Sequence, residues 1–195
     1  DTLRAFLQGR KSTLYVALGI PVIYPGVRSF SPDIMAVSEV PLSAQKPRTA
    51  WRVLEEGRGL DLVIEVHHCG NWRKDFVDNV KRYALLGIRE YFAFNLNKLT
   101  LQGFRLPEGG ASYERLQPER GRLHSQVLDM DLEIQEGQLR FFFSTARLPN
   151  LGERLVEEQR RADQERVRAE QEQLRAEQEQ QRADQEQQRA EQEQQ

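Results

Sequence analysis

Leu60-Asp61-Leu62-Val63-Ile64-Glu65-Val66 is nearly continuous in Leu, Val and Ile and carries one carboxylate inside the run. Seven residues of this kind, closed by polar residues and Gly70, are too short for a buried helix and suit a strand covered on both faces. Such a strand belongs at the centre of a sheet. The carboxylate of Glu65 is then costly unless something pairs with it or uses it. The plainest alternative is an ion pair with a buried arginine.

Other segments fit around this strand. Thr13 to Tyr24 reads as strand, kink and strand around Gly19-Ile20-Pro21. Ser31-Pro32-Asp33 opens an apolar run, Ile34 to Val37, because proline is tolerated at the start of a strand and not in its middle. Pro41 to Gly59 is a polar connection in which Trp51 to Leu54 predicts a helical turn. Asp75 to Leu86 has Phe76, Val77, Val80, Tyr83 and Ala84 at helical spacing, with Gly87 as its C-terminal cap. Tyr91 to Asn95 returns as a strand. Leu99 to Phe143 adds short β segments, including Leu101 to Leu106 and a hairpin turning at Glu136-Gly137, that extend or cover the sheet. The order predicts an α/β domain with a mixed β-sheet and at least one helical crossover.

The large apolar residues thin out beyond Leu151, so the expected domains are residues 1–150 and a tail, 151–195. Residues 1–150 carry 20 Lys+Arg against 17 Asp+Glu, and the tail 8 against 13. A body this mildly basic neither requires nor excludes nucleic acid. From Arg161 the tail repeats every seven residues, with Arg at 161, 168, 175, 182 and 189. Pairs such as Arg161 with Glu165 and Arg175 with Glu179 favour helix. A strong coiled coil needs two apolar positions per heptad. Here one is Ala, and the other decays from Val167 and Leu174 to Gln181, Gln188 and Gln195. The expectation is a solvated helix fraying toward its end, with weak self-association as the sharper alternative.

One cysteine, Cys69, excludes an internal disulfide, and no apolar stretch is long enough to span a bilayer or to form a signal-peptide core. The expected location is cytoplasmic, without a membrane partner. Thr2 to Gly9 reads as the end of an amphipathic helix, which suggests that the natural chain begins upstream of Asp1.

Asp33 at the mouth of one strand and Glu65 within another form the pair that carries chemistry. Two converging carboxylates repel, and one pKa rises unless a divalent cation lies between them; hard oxygen ligands suit Mg²⁺ or Mn²⁺. Such an ion activates water and stabilises charge on a phosphate. Strand alternation places Glu65, His67 and Cys69 on one face and Val66 and His68 on the other. His67 is able to hold water or bind metal. The plain reading leaves the histidines at a strand end, facing solvent or a loop, because one strand face offers too few ligands for zinc. Nothing orders a base against Cys69 or a serine, and Glu108-Gly109-Gly110 reads as a turn, not a phosphate loop.

Pro32-Asp33, Trp51, Glu55-Glu56-Gly57, Leu62 to Val66, Arg73-Lys74-Asp75, Tyr83, Gly87-Ile88 and Glu90-Tyr91-Phe92, with Tyr15-Val16-Ala17 and Ile23-Tyr24 upstream, together resemble the Uma-type family of inferred restriction endonucleases. The resemblance covers roughly residues 2–110. It implies the restriction-endonuclease-like PD-(D/E)xK fold, a mixed β-sheet core with flanking helices, a metal held by Asp33 and Glu65, and hydrolysis of DNA phosphodiesters.

The chain departs from the pattern at both positions where a lysine is expected, which are His67 and Asn79. On a helix each residue turns about 100°. Lys81 therefore points about 160° from Asn79 and Arg82 only about 60°. Arg82 is able to stabilise charge and not to act as a base. Lys74, before the helix, is the third candidate beside His67 and Arg82. The leading expectation is a Mg²⁺- or Mn²⁺-dependent DNA endonuclease. The alternatives are a catalytically impaired nuclease-fold protein that binds nucleic acid or protein, and a scaffold whose helical tail mediates association while the domain is structural; DNA is the expected partner, with a homo-oligomer formed through the domain or the tail as a further expectation.

Overall fold

The computed structural model describes Leu3, Phe6, Leu7 and residues 12–193, with side chains through residue 182. It divides the chain into two units, residues 1–148 and 149–195.

In the first unit, β1 (Tyr15–Leu18), β2 (Val22–Ile23), β3 (Ile34–Val37), β4 (Trp51–Arg52) and the short helix α1 (Val53–Glu56) precede β5 (Leu62–His67). A π-helical turn, Lys74–Asp78, leads into α2 (Asn79–Leu85), followed by β6 (Glu90–Asn95), β7 (Thr100–Arg105) and β8 (Glu114–Arg115). Six of these strands form one mixed sheet in the order β1-β3-β5-β6-β7-β8. β5 lies inside it, antiparallel to β3 and parallel to β6. The parallel pair is the one that needs a crossover, and the π turn and α2 supply it. Gly57 and Gly87 close their helices at φ 71° and 73°, a left-handed conformation that glycine adopts without a Cβ clash.

The two faces of this sheet are both covered. Met35, Val37, Val63, Tyr91 and Ala93 pack with Tyr83 of α2 and with Trp51. Ala36, Leu62, Ile64 and Phe92 face the other way and meet Leu123, Met130 and Leu132. Those last residues belong to a second, antiparallel sheet: β9 (Leu123–Ser125), β10 (Met130–Gln135), β11 (Gln138–Phe143) and β12 (Ala146–Arg147), in the order β12-β11-β10-β9. Glu136 and Gly137 form the two-residue turn between β10 and β11, both at positive φ, which matches the twist of the flanking strands. Within the expected β region, then, β7 and β8 extend the first sheet while β9 to β12 cover it.

Glu90 locks the two sheets together. Its buried carboxylate accepts bonds from Arg105 Nε and Nη2 at 2.9 and 2.8 Å, from Ser125 Oγ at 2.5 Å and from the amides of Gln126 and Val127. This is the buried acid that an arginine satisfies. Leu3, Phe6 and Leu7 are helical, with Leu3 and Leu7 in the core; Gly9, the expected end of that helix, lies outside the described residues.

The second unit is α3 (Leu151–Glu193). A reciprocal cap starts it: Asn150 Oδ1 accepts the Glu153 amide at 2.8 Å, and Glu153 Oε2 accepts the Asn150 amide at 2.7 Å, satisfying two donors that a helix start leaves open. Arg161 bonds Glu157 rather than Glu165, and Arg168 bonds Glu172. Val167 and Leu174 are exposed. The fraying expected toward the end falls on side chains outside the described residues. Among the described residues no helix is long and apolar enough to cross a membrane.

Candidate active site

β3 and β5 pair Ile34 with Ile64 and Met35 with Val63. Continued by one step, that register sets Asp33 opposite Glu65. Opposed residues on antiparallel strands project to the same face, here the face covered by α2. The Asp33 carboxylate, at the surface, accepts the amide of Val66 through Oδ2 at 2.6 Å. Glu65 is 6% exposed and takes the Tyr83 hydroxyl on Oε1 at 2.6 Å. Among the described residues no cation forms an ion pair with either acid.

That shortage of positive charge has an electrostatic consequence. Burial pushes the Glu65 carboxyl up to about 7; the Tyr83 hydrogen bond and the Lys74 charge pull it down, while Asp33 and Asp75 push it further up. Tyr83 is itself held well above the usual phenol range, first by burial and then by the Glu65 charge, and so remains a donor. An acid that is buried, flanked by other acids and short of a counter-charge is a strongly perturbed group of the kind found at functional sites.

Behind this pair lies a second layer. His67, 7% exposed, reaches Asp75 Oδ2 through Nδ1 at 3.0 Å. Asn79 Nδ2 donates to Asp75 Oδ1 at 3.3 Å, and the Tyr91 hydroxyl to the Asp75 carbonyl at 2.6 Å. Lys74 Nζ is 3.8 Å from Asp75 Oδ1 on a side chain that is 66% exposed. The expectation that the histidines face solvent or a loop is therefore corrected for His67, although His68 is exposed. The physical reason is the π turn, which presents Asp75 to the inner face of β5 as a partner for the ring.

The candidate residues are brought together unequally. Asp33, Glu65, His67 and Lys74 gather at one end of β5, linked by the bonds and charges above. Arg82 is turned away: its guanidinium lies 4.5 Å over the Phe30 ring and donates to the Arg28 carbonyl. Sequence reasoning missed Asp75 as a site residue, placing it at a helix start and within the Arg73-Lys74-Asp75 segment of the resemblance without giving it a role. A histidine on the inner face of a central strand, with an acid in the first turn of the next helix, is the signal that would have found it. Among the described residues no cluster of three His, Cys, Asp or Glu forms a metal cage.

A family model described as "Putative restriction endonuclease", Uma2, matches residues 1–137. The chain belongs to the Uma2 family. The match spans the first sheet, the crossover and β9 and β10 of the second sheet, and β11, β12 and α3 lie beyond it. No curated protein matches the chain. A solved structure from Anabaena variabilis, described as "a putative nuclease belonging to DUF820", is similar over 65% of this chain and 67% of its own, at 11% identity and a TM-score of 0.49. The family match, and not that likeness, carries the assignment. Within the Uma2 region lie all of Asp33, Glu65, His67, Lys74, Asp75 and Arg82.

Proposed function

We propose that this Uma2-family chain is a divalent-metal-dependent endonuclease of the PD-(D/E)xK type, acting in the cytoplasm on DNA phosphodiesters. The observation that carries the reading is the opposition of Asp33 and Glu65 at the end of a central strand, with Glu65 raised in proton affinity and, among the described residues, no cation in an ion pair with either.

The donor set fits a hard cation. Each acid has one oxygen committed, Asp33 Oδ2 to the Val66 amide and Glu65 Oε1 to Tyr83, and one oxygen without a hydrogen bond among the described residues. Asp33 and Glu65 would hold Mg²⁺ or Mn²⁺, and water and substrate oxygens would complete its octahedral shell. Such an ion lowers the pKa of bound water and neutralises charge on the phosphate.

The chain's own residues supply the rest. Tyr83 and the Val66 amide orient the two carboxylates. Lys74 places a flexible ammonium at the mouth, where it meets a phosphate oxygen. Asp75 ties His67 through Nδ1, which leaves Nε2 to order a water. Hydrolysis forms a bond from the water oxygen to phosphorus and breaks the ester P–O bond, with the proton passing to the leaving oxygen.

A second reading, a nuclease fold that binds without cutting, rests on one observation. Asn79 is 2% exposed and bonded to Asp75, so no lysine reaches the site from that turn of α2. Calorimetric titration of Mg²⁺ and Mn²⁺ into wild type and an Asp33→Ala/Glu65→Ala variant, followed by a DNA cleavage screen, separates the two. Metal binding and cleavage that both vanish in the variant support the endonuclease. DNA binding without cleavage at saturating metal supports the second reading.

A further inference from the structure

At the end of the sheet where Asp33 and Glu65 lie, the chain leaves β5 through Cys69 and Gly70 and enters the π turn through Trp72, Arg73 and Lys74. Trp72 is 55% exposed, an unusual position for the largest apolar side chain. The other tryptophan, Trp51, is fully buried and bonds the Arg58 carbonyl. Among the described residues no ring contact or hydrogen bond holds the Trp72 side chain.

Its surroundings are cationic. Arg73 follows it, two-thirds exposed and only 3.9 Å from the exposed Asp78, and Lys74 comes next. The turn between β6 and β7 adds Lys98 at the same end. That turn is fixed there by the Leu96 amide on the His67 carbonyl at 2.9 Å and by Asn97 Nδ2 on the His68 carbonyl at 2.6 Å. Lys98 has no ion-pair partner among the described residues.

We infer that Trp72 is a nucleobase-stacking platform beside the active site, and that the substrate is a DNA segment with an unpaired base, its phosphates held by Arg73, Lys74 and Lys98. An exposed indole pays off poorly in water and well against the face of a base, and neighbouring cations that track the backbone complete the arrangement used for single strands. A fully paired duplex offers phosphates to the cations but no free base face to the indole. The inference rests on the endonuclease reading for its substrate class and not for its binding geometry.

Because Trp51 is buried, quenchable tryptophan emission reports on Trp72. The experiment titrates a single-stranded oligonucleotide without self-complementarity, and the duplex it forms with its exact complement, into the full chain in EDTA, following emission and the anisotropy of a labelled strand. Saturable quenching by the single strand, with at least tenfold weaker binding of the duplex, is expected. Trp72→Ala should weaken single-strand binding about 5- to 100-fold, and Trp72→Phe, which keeps a stacking ring, should recover most of it. Equal affinity for strand and duplex, binding unchanged by Trp72→Ala, or no binding of either form overturns the platform. Metal-dependent cleavage is scored separately on the same strands. Quenching without cleavage counts against the nuclease and leaves the platform standing, while duplex cleavage indifferent to Trp72→Ala does the reverse.

Discussion

The Tyr83 hydroxyl lies 2.6 Å from Glu65 Oε1, so the crossover helix reaches back to orient a carboxylate on the strand that precedes it. This hydrogen bond lowers the proton affinity that burial raises at Glu65. Tyr83→Phe removes the bond and keeps the ring. Glu65 should then hold its proton to higher pH, and Mn²⁺ affinity at pH 7 should fall about tenfold, the equivalent of one charged hydrogen bond. Calorimetry on the variant at pH 7 and pH 8.5 checks this, with the difference narrowing at the higher pH.

Glu65 also sets how stability depends on pH. Burial raises it from the ordinary 4.5 to about 7 in the folded state, so between those two pH values the folded state binds more protons than the unfolded state. Stability in EDTA should be greatest below about pH 4.5 as far as this group is concerned, and should be lost as pH rises through 7. Glu65→Gln should remove that slope and stabilise the metal-free protein at pH 8 by about 1–3 kcal/mol. Urea melts across pH 5–8 on both proteins measure it; parallel curves would refute it.

Asp75 is predicted to be a structural keystone of the site. Asp75→Ala leaves His67 and Asn79 without their shared acceptor inside the core, at a cost of about 2–3 kcal/mol. Urea denaturation at pH 7 gives the number, and a loss under 0.5 kcal/mol would show that His67 and Asn79 find other partners.

Glu90 tests the joint between the sheets. Arg105→Ala strands a fully buried carboxylate and should destabilise the chain by about 2–4 kcal/mol. Ser125→Ala removes one of several bonds and should cost only about 1 kcal/mol. A thermal or urea melt showing the reverse order would reassign what holds Glu90.

For α3, a seam in which one position is alanine and the other decays from Val167 and Leu174 to glutamine predicts no strong association. Light scattering over a hundredfold range of concentration should give one mass for the full chain. Deleting residues 151–195 should lower that mass only by the residues removed and leave metal binding unchanged.

Periodicity in the sequence marked most of the elements and their class, with an exception at Trp51 to Leu54, where the expected helical turn is strand β4 at Trp51–Arg52 and helix only from Val53. Apolar continuity from Leu62 to Ile64 marked a strand covered on both faces, and helical spacing from Phe76 to Ala84 marked the crossover. Glu65 was legible as a candidate because an acid within an apolar strand carries a solvation cost that shows locally, and Asp33 because Pro32-Asp33 opens the neighbouring apolar strand. What the sequence left open was which distant groups answer those charges. Glu65 and Glu90 are both acids on neighbouring β strands, yet Glu90 is satisfied by Arg105 and Ser125 while Glu65, among the described residues, has the Tyr83 hydrogen bond and no ion pair. His67 looked like a strand-end histidine, and the π turn made it a buried partner of Asp75. Arg82, favoured by helical angle alone, was captured by Phe30 and the Arg28 carbonyl. Local pattern depends on burial and backbone period, which neighbours in sequence encode. Charge compensation depends on groups 8 to 35 residues apart, and only tertiary packing decides which of them meet.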